Sequence, residues 1–241
     1  MFYGRENERK KLCTMFHSDG QMISLIYGRR RIGKSELIKQ VLKETDIKSV
    51  YYECKQTTEQ NNVDSLAELI GEAFDFPKPA FENMEDLLCF LFQKSEKEPM
   101  ILVLDEYPYL RENSKGLDSV LQSVIDHYKD TSNMKLIVCG SYVDTMKALL
   151  ERQNPLYGRI DLTLNLKPMD YYDSALFYPE FSEEDKVRLF SVFGGIPYYN
   201  RLIDAKKSVR ENIIELIASS GARLENEVAM YLNSEISKIT N

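Results

Sequence analysis

An α/β fold built on a parallel sheet is predicted by three observations. Short apolar runs alternate with stretches of helical periodicity, the pattern of β-α-β units joined by right-handed crossovers. One run, residues 100–104 (Met-Ile-Leu-Val-Leu), is continuously apolar, as a strand covered on both faces should be. A glycine-bearing loop, Gly28 to Ser35, leads from a strand pattern directly into a helical one.

The elements follow in order. Residues 22–27 read as a buried strand. Residues 36–43 read as a helix, with Leu37, Ile38, Val41 and Leu42 on one face. Residues 47–54 are rich in Val and Tyr, as strands are. Val63, Leu66, Ala67, Ile70, Ala73 and Phe74 trace a helix over 62–74, and Phe76-Pro77-Lys78-Pro79 breaks the chain after it. A short helix is expected at 84–92, before the apolar strand 100–104. Leu117, Val120, Leu121, Val124, Ile125 and Tyr128 mark another helix. Residues 135–139 form the next buried strand and end in Gly140-Ser141. A helix over 143–150 and a strand over 160–166 follow. Beyond Pro168 the pattern is all-helical, with helices near 170–178, 183–193, 209–218 and 223–239. Ser208 with Glu211 has the form of a capping box. The expected division is therefore an α/β core over 1–167 and a helical appendage over 168–241.

The 241 residues are 43% hydrophobic, enough for a sizeable core. The net charge of −7 gives no global basic field, so non-specific binding to nucleic acid is not favoured. Cys13, Cys54, Cys89 and Cys139 are widely spaced and no C-x-x-C occurs, so four free thiols in a reducing compartment and no zinc site are expected. No run of 18 apolar residues and no leader segment is present, so a cytoplasmic protein with no membrane partner is expected.

Gly28-Arg29-Arg30-Arg31-Ile32-Gly33-Lys34-Ser35 matches G-x-x-x-x-G-K-[ST], the phosphate-binding loop of P-loop NTPases. Strand, loop and helix start together aim backbone N–H groups and a helix dipole at a polyphosphate. Gly28 and Gly33 permit close backbone approach. Lys34 supplies a charge for the β- and γ-phosphates, and Ser35 a hydroxyl for Mg²⁺. Arg29, Arg30, Arg31 and Ile32 contribute main chain more than side chain, and Glu36 opens the helix. Asp105 ends the apolar strand, where ligands of open α/β sheets bind, and is the expected second metal ligand. Glu106 is placed to orient or deprotonate the attacking water. Ser141, ending the next strand, suits the γ-phosphate or that water, with an ordinary turn hydroxyl as the alternative. Arg159 is a candidate cation for the transition state, with a surface salt bridge as the alternative.

Six motifs in order resemble one known group. Phe2-Tyr3-Gly4-Arg5-Glu6-Asn7-Glu8 looks like the "hydrophobic-Gly-Arg-x-x-Glu" opening of AAA+-like and STAND ATPases. Residues 26–35, 104–110 and 137–141 follow, then Pro155-Leu156-Tyr157-Gly158-Arg159 and Gly194-Gly195-Ile196-Pro197-Tyr198-Tyr199. Together they are similar to the prokaryotic "archaeal ATPase" family, with Ser35 in place of the commoner Thr. The resemblance implies an ASCE/AAA+-like, three-layer α-β-α fold with a mainly parallel five-stranded sheet in the order 5-1-4-3-2. It implies ATP or ADP with Mg²⁺ as ligands. Tyr3, Gly4 and Arg5 would border the adenine, Ser141 would fill the sensor position, and Arg159 would be the arginine near the phosphates. Pro197 would touch the base and report the nucleotide state to the helical part. Family members continue into a winged helix and a restriction-endonuclease-like domain, so these residues are expected to be the ATPase part.

The leading reading is a slow ATPase acting as a switch, with Mg·ATP bound between the sheet and the helical appendage. The alternative is a nucleotide-binding scaffold with little turnover that mediates protein or DNA interactions. A small-molecule kinase is disfavoured, because Arg111, Arg152 and Arg159 form no arginine-rich lid. Self-association or a protein partner is compatible with the switch. DNA enters only by family analogy, since Arg201, Lys206, Lys207 and Arg210 read more simply as a solvated face.

Overall fold

The computed structural model describes residues 2–227, which group into two compact units. The larger comprises Glu6–Arg30 and Lys34–Lys167. The smaller takes the chain from Pro168 onward, the residues up to Arg5, and Arg31–Gly33 out of the middle of the loop. Composition along the chain groups neighbours in sequence only, so those two short returns are not visible in it.

The larger unit alternates strands and helices. In chain order these are α1 (Glu6–Phe16), β1 (Met22–Tyr27), α2 (Lys34–Leu42), β2 (Lys48–Glu53), α3 (Glu59–Phe74), α4 (Met84–Ser95), β3 (Met100–Asp105), α5 (Tyr107–Asn113), α6 (Leu117–His127), β4 (Met134–Gly140), α7 (Val143–Ala148) and β5 (Leu162–Asn165). The five strands form one parallel sheet in the order β2-β3-β4-β1-β5, which is 5-1-4-3-2 read from the other edge. β3 and β4 are buried along their whole length, and the edge strands β2 and β5 are buried only in part. This is why β3 reads as an unbroken apolar run and the edge strands do not.

Side chains alternate across the sheet. Leu102, Leu104, Leu136 and Val138 join one core with Leu66 and Ile70 of α3, Leu88 and Leu91 of α4, and Leu121 of α6. Ile101, Val103 and Ile137 are equally buried but lie outside that core. Leu12 and Phe16 of α1 and Leu37, Ile38 and Val41 of α2 are likewise buried apart from it, and α1 packs on α2. The result is a three-layer α-β-α sandwich. Each fully buried Leu or Ile contributes on the order of 1.5–3 kcal/mol, so the sheet is the stable platform of the unit.

Two elements of this unit lack a clear sequence signal. In α1 most of the first two turns are charged, and Leu12, Met15 and Phe16 are its buried residues. α5 is short, starts with Pro108 in its first turn, and follows directly on β3.

The smaller unit holds α8 (Tyr171–Ala175), α9 (Glu183–Phe193), α10 (Pro197–Asn200) and α11 (Val209–Ile213), which runs into a π-helical turn at Ile214–Ala218. Its core is small: Tyr178, Leu189, Phe193 and Leu224. The capping box is present, with Ser208 accepting from the Glu211 N–H while the Glu211 carboxylate accepts from the Ser208 N–H. α10 is too short to show periodicity, and most of the helix expected at 223–239 lies outside the described residues. Among the described residues no helix is long and apolar enough to cross a membrane. All four cysteines are free thiols.

Candidate functional site

Sheet register assembles the site. Tyr27, the last residue of β1, pairs with Gly140, the last of β4. Leu104 of β3 pairs with Val138. Three strand ends therefore deliver the loop after β1, Asp105-Glu106 after β3 and Ser141 after β4 to one edge of the sheet. Gly140 is required at that edge, because a Cβ there would come within 2.6 Å of Met146 Sδ and 2.8 Å of Pro108 Cδ. In the loop, Gly33 has φ +91°, which an L side chain rarely adopts.

Lys34 is buried and its ammonium is held by three acceptors. It donates to the carbonyls of Gly28 at 3.1 Å and Arg29 at 3.3 Å, and to Ser141 Oγ at 2.8 Å. Ser141 Oγ donates in turn to Glu106 Oε1 at 2.6 Å, and the Ser141 N–H donates to Glu106 Oε2 at 3.2 Å. A chain of hydrogen bonds thus runs from the lysine to the carboxylate expected to serve as base. Glu106 itself has φ +52°, a left-handed conformation that costs a non-glycine residue on the order of 1 kcal/mol. The turn directs its carboxylate towards Ser141 and starts α5 at the next residue. α5 is braced from behind: Asp118 accepts from Tyr107 Oη at 2.7 Å, Arg111 Nε at 2.9 Å and Asn154 Nδ2 at 2.8 Å.

Asp105 is 2% exposed and is met by three neutral donors. Ser35 Oγ donates to Oδ2 at 2.6 Å, the Glu106 N–H donates to Oδ1 at 2.9 Å, and Tyr51 Oη donates to Oδ2. Tyr51 was not legible as a site residue, because a tyrosine in an edge strand reads as packing. Burial, then the Asp105 hydrogen bond and charge, push its phenol far above the usual range, so it remains a neutral donor. Burial and the Asp105 charge likewise raise the Cys139 thiol well above its ordinary value, which leaves it unreactive.

These residues fit Mg²⁺. A buried carboxylate with only neutral hydrogen-bond donors calls for a cation. One carboxylate and one hydroxyl, both hard oxygen donors, are what that ion takes from protein when substrate phosphates and water complete its shell. Bound there, the ion would supply Lewis-acid stabilisation of phosphate oxygens.

The arginines diverge. Arg29, Arg30 and Arg31 are exposed, as is Glu36, whereas Ile32 is fully buried. The Arg31 guanidinium lies 4.5 Å from the centroid of the Tyr198 ring and pairs with Glu227. Arg159 is not brought to the phosphate loop. It forms two hydrogen bonds of 2.7 Å to Asp126, near the end of α6, and holds that carboxyl below the usual range. The physical reason is topological. β5 runs parallel to β1, so the chain must return to the opposite sheet edge before β5 begins, and Arg159 sits three residues before it. The structure thus places Arg159 in a salt bridge with Asp126.

In the smaller unit, Tyr3, Gly4 and Arg5 meet α8 and the loop centre. The Arg5 N–H donates to Asp173 Oδ2 at 3.3 Å and Arg5 Nη2 to the Ile32 carbonyl at 3.2 Å. The Tyr3 and Phe177 rings are 4.9 Å apart. Pro197 Cγ lies 3.7 Å from where a Cβ on Gly33 would sit.

A parallel sheet in this order, with a phosphate loop after its β1 strand, defines a P-loop ATPase fold. The family described as "ATPase domain predominantly from Archaea" matches residues 2–203, and the chain belongs to it. An uncharacterized protein of Methanocaldococcus jannaschii, MJECL04, is 30% identical over 200 residues, which are 83% of this chain and 43% of that protein. The chain thus spans less than half the length of this relative. Among solved structures, the Walker-type ATPase PABY2304 of Pyrococcus abyssi is similar in fold, with TM-score 0.68, 19% identity, and coverage of 98% of this chain and 76% of that one. The ORC2 protein of Aeropyrum pernix, in its ADPNP-ADP complexes, gives TM-score 0.60 and 16% identity over 95% of this chain and 63% of that one.

Proposed function

We propose that this chain binds Mg·ATP at residues 28–36 and hydrolyses it slowly, acting as a nucleotide-dependent switch. The observation that carries the reading is the convergence of Lys34, Ser35, Asp105, Glu106 and Ser141 through the bonds Lys34–Ser141, Ser141–Glu106 and Ser35–Asp105. In this reading Lys34 exchanges its carbonyl acceptors for phosphate oxygens, and Ser35 and Asp105 hold Mg²⁺. Glu106 accepts the proton of the attacking water, and Ser141 senses the γ-phosphate through the lysine it already touches. Arg31–Gly33 of the loop group with the helical unit, and the switch reading makes that unit the part whose state follows the nucleotide. Tyr3, Gly4, Arg5 and Pro197 border the base.

One observation favours the scaffold reading as the alternative. Ser141 engages both carboxylate oxygens of Glu106, and a carboxylate so occupied is a poor base until released. Single-turnover hydrolysis separates the two. As a switch with turnover, the wild type hydrolyses bound ATP at least about 100-fold faster than Glu106→Gln, while both bind Mg·ATP with similar affinity. Equal rates select the scaffold. A protein partner, self-association or DNA would act on either through the helical part, and a cytoplasmic setting suits both.

A further inference from the structure

Two adjacent tyrosines of β2 face opposite sides of the sheet. Tyr52 belongs to the larger core, where its Oη donates to Asn62 Oδ1. Tyr51 lies outside that core, and its Oη donates to Asp105 instead. Strand register explains the reach. Tyr51 pairs with Val103, and Asp105 is the next residue of β3 on the same face, so tyrosine and aspartate are diagonal neighbours. Glu53 stands directly opposite Asp105 in that register and is exposed.

Tyr51 is held from the helix side as well. Lys39 Nζ of α2 lies 4.9 Å from the centroid of its ring. Lys39 follows Ser35 by four residues, hence on one helical face. The phenol therefore joins α2 to β3, with its ring against Lys39 and its hydroxyl on the carboxylate that Ser35 also meets.

These bonds load the two oxygens of Asp105 unequally. Oδ2 accepts from Ser35 Oγ at 2.6 Å and from Tyr51 Oη, which takes both of its lone pairs. Oδ1 accepts the Glu106 N–H at 2.9 Å. The Cys139 thiol also bonds the carboxylate, as a weak donor that a cation readily displaces. Counted over the strong donors, the open lone pair is on Oδ1.

We infer that Tyr51 is a positioning residue that makes Asp105 a one-oxygen ligand and so selects Mg²⁺ over Ca²⁺. The inference rests on the proposed Mg·ATP site and names the group that sets its metal preference. Mg²⁺ demands near-ideal octahedral geometry and draws few of its oxygens from protein. Ca²⁺ takes more oxygens, in flexible geometry, and accepts a bidentate carboxylate. A carboxylate with Oδ2 committed to two hydroxyls offers the single-oxygen contact that suits the smaller ion. Without the phenol, Oδ2 regains a lone pair and both oxygens can turn to a cation.

The test is equilibrium binding of ATP to wild type and Tyr51→Phe in excess Mg²⁺, in excess Ca²⁺ and in EDTA. Phenylalanine keeps the ring and its contact with Lys39. Wild type should bind ATP about tenfold or more tighter with Mg²⁺ than with Ca²⁺. In Tyr51→Phe that ratio should fall by about tenfold, while binding in EDTA stays within about twofold of wild type. Tyr52→Phe also removes a hydroxyl bond from β2, away from Asp105, and should keep the wild-type ratio. Wild type without a preference for Mg²⁺, a ratio unchanged in Tyr51→Phe, or an equal fall in Tyr52→Phe overturns the inference and leaves the phosphate-loop reading standing. Wild type that binds no ATP in any of the three conditions overturns both.

Discussion

The strand ends of the sheet unit and the Ser174–Asn200 stretch of the helical unit treat polar side chains in different ways. At the sheet edge Lys34, Ser35, Asp105, Glu106 and Ser141 are each engaged by another member of the group or by main chain. In the helical unit Ser174 Oγ, Tyr178 Oη and the Asn200 carboxamide are buried with no hydrogen-bond partner among the described residues. The sheet has a core of fully buried strands to hold charges in fixed positions, whereas the described part of the helical unit packs around the smaller cluster of Tyr178, Leu189, Phe193 and Leu224. A site for a charged phosphate tail must be held rigid, since electrostatic stabilisation depends on preorganised groups.

Four measurements would break or sharpen this contrast. The largest effect is expected from Lys34→Ala, which should weaken Mg·ATP by at least about 100-fold in a titration, because the lysine is a buried cation joined to the Ser141–Glu106 pair. Unchanged affinity would end the reading of the sheet edge as a phosphate site. Next come the two cores. Leu102→Ala removes a fully buried side chain from the sheet and should cost about 3–4 kcal/mol, whereas Leu189→Ala in the smaller core should cost about 2 kcal/mol. Hydrogen exchange read separately on the amides of each unit checks this; equal losses in both would remove the difference in rigidity. Ser208→Ala deletes one half of the capping box and should destabilise α11 by about 1 kcal/mol, seen as faster exchange of the Glu211 amide. The smallest effect belongs to Arg159→Ala. Its partner is the half-exposed Asp126, so ATP affinity of the isolated chain should stay within about twofold. A tenfold loss would contradict its placement at the far edge of the sheet.

Much of the sheet unit is legible in the residues. The phosphate loop, Asp105 and Glu106 are local patterns, each a short string beside a strand whose apolar run marks its end. Ser141 is readable for the same reason. Tyr51 is not, since its link to Asp105 depends on β2 lying beside β3, a long-range pairing. Arg159 reads two ways in the sequence, because a motif carries no information about which end of a sheet it occupies, and its bond to Asp126 depends on the fold. The bracing of α5 by Asp118, Arg111 and Asn154 also joins residues from three separate segments.

The sequence alone determined the α/β alternation, the identity of the central strands and the loop proposed to grip a triphosphate, because periodicity, apolar runs and loop chemistry are local and short in range. Only the tertiary structure decided that the Lys34–Ser141–Glu106 chain forms, that Arg31–Gly33 group with the helical unit, and that Tyr51 reaches Asp105. Those facts depend on strand register and on the packing of segments distant in the chain, which no local pattern encodes.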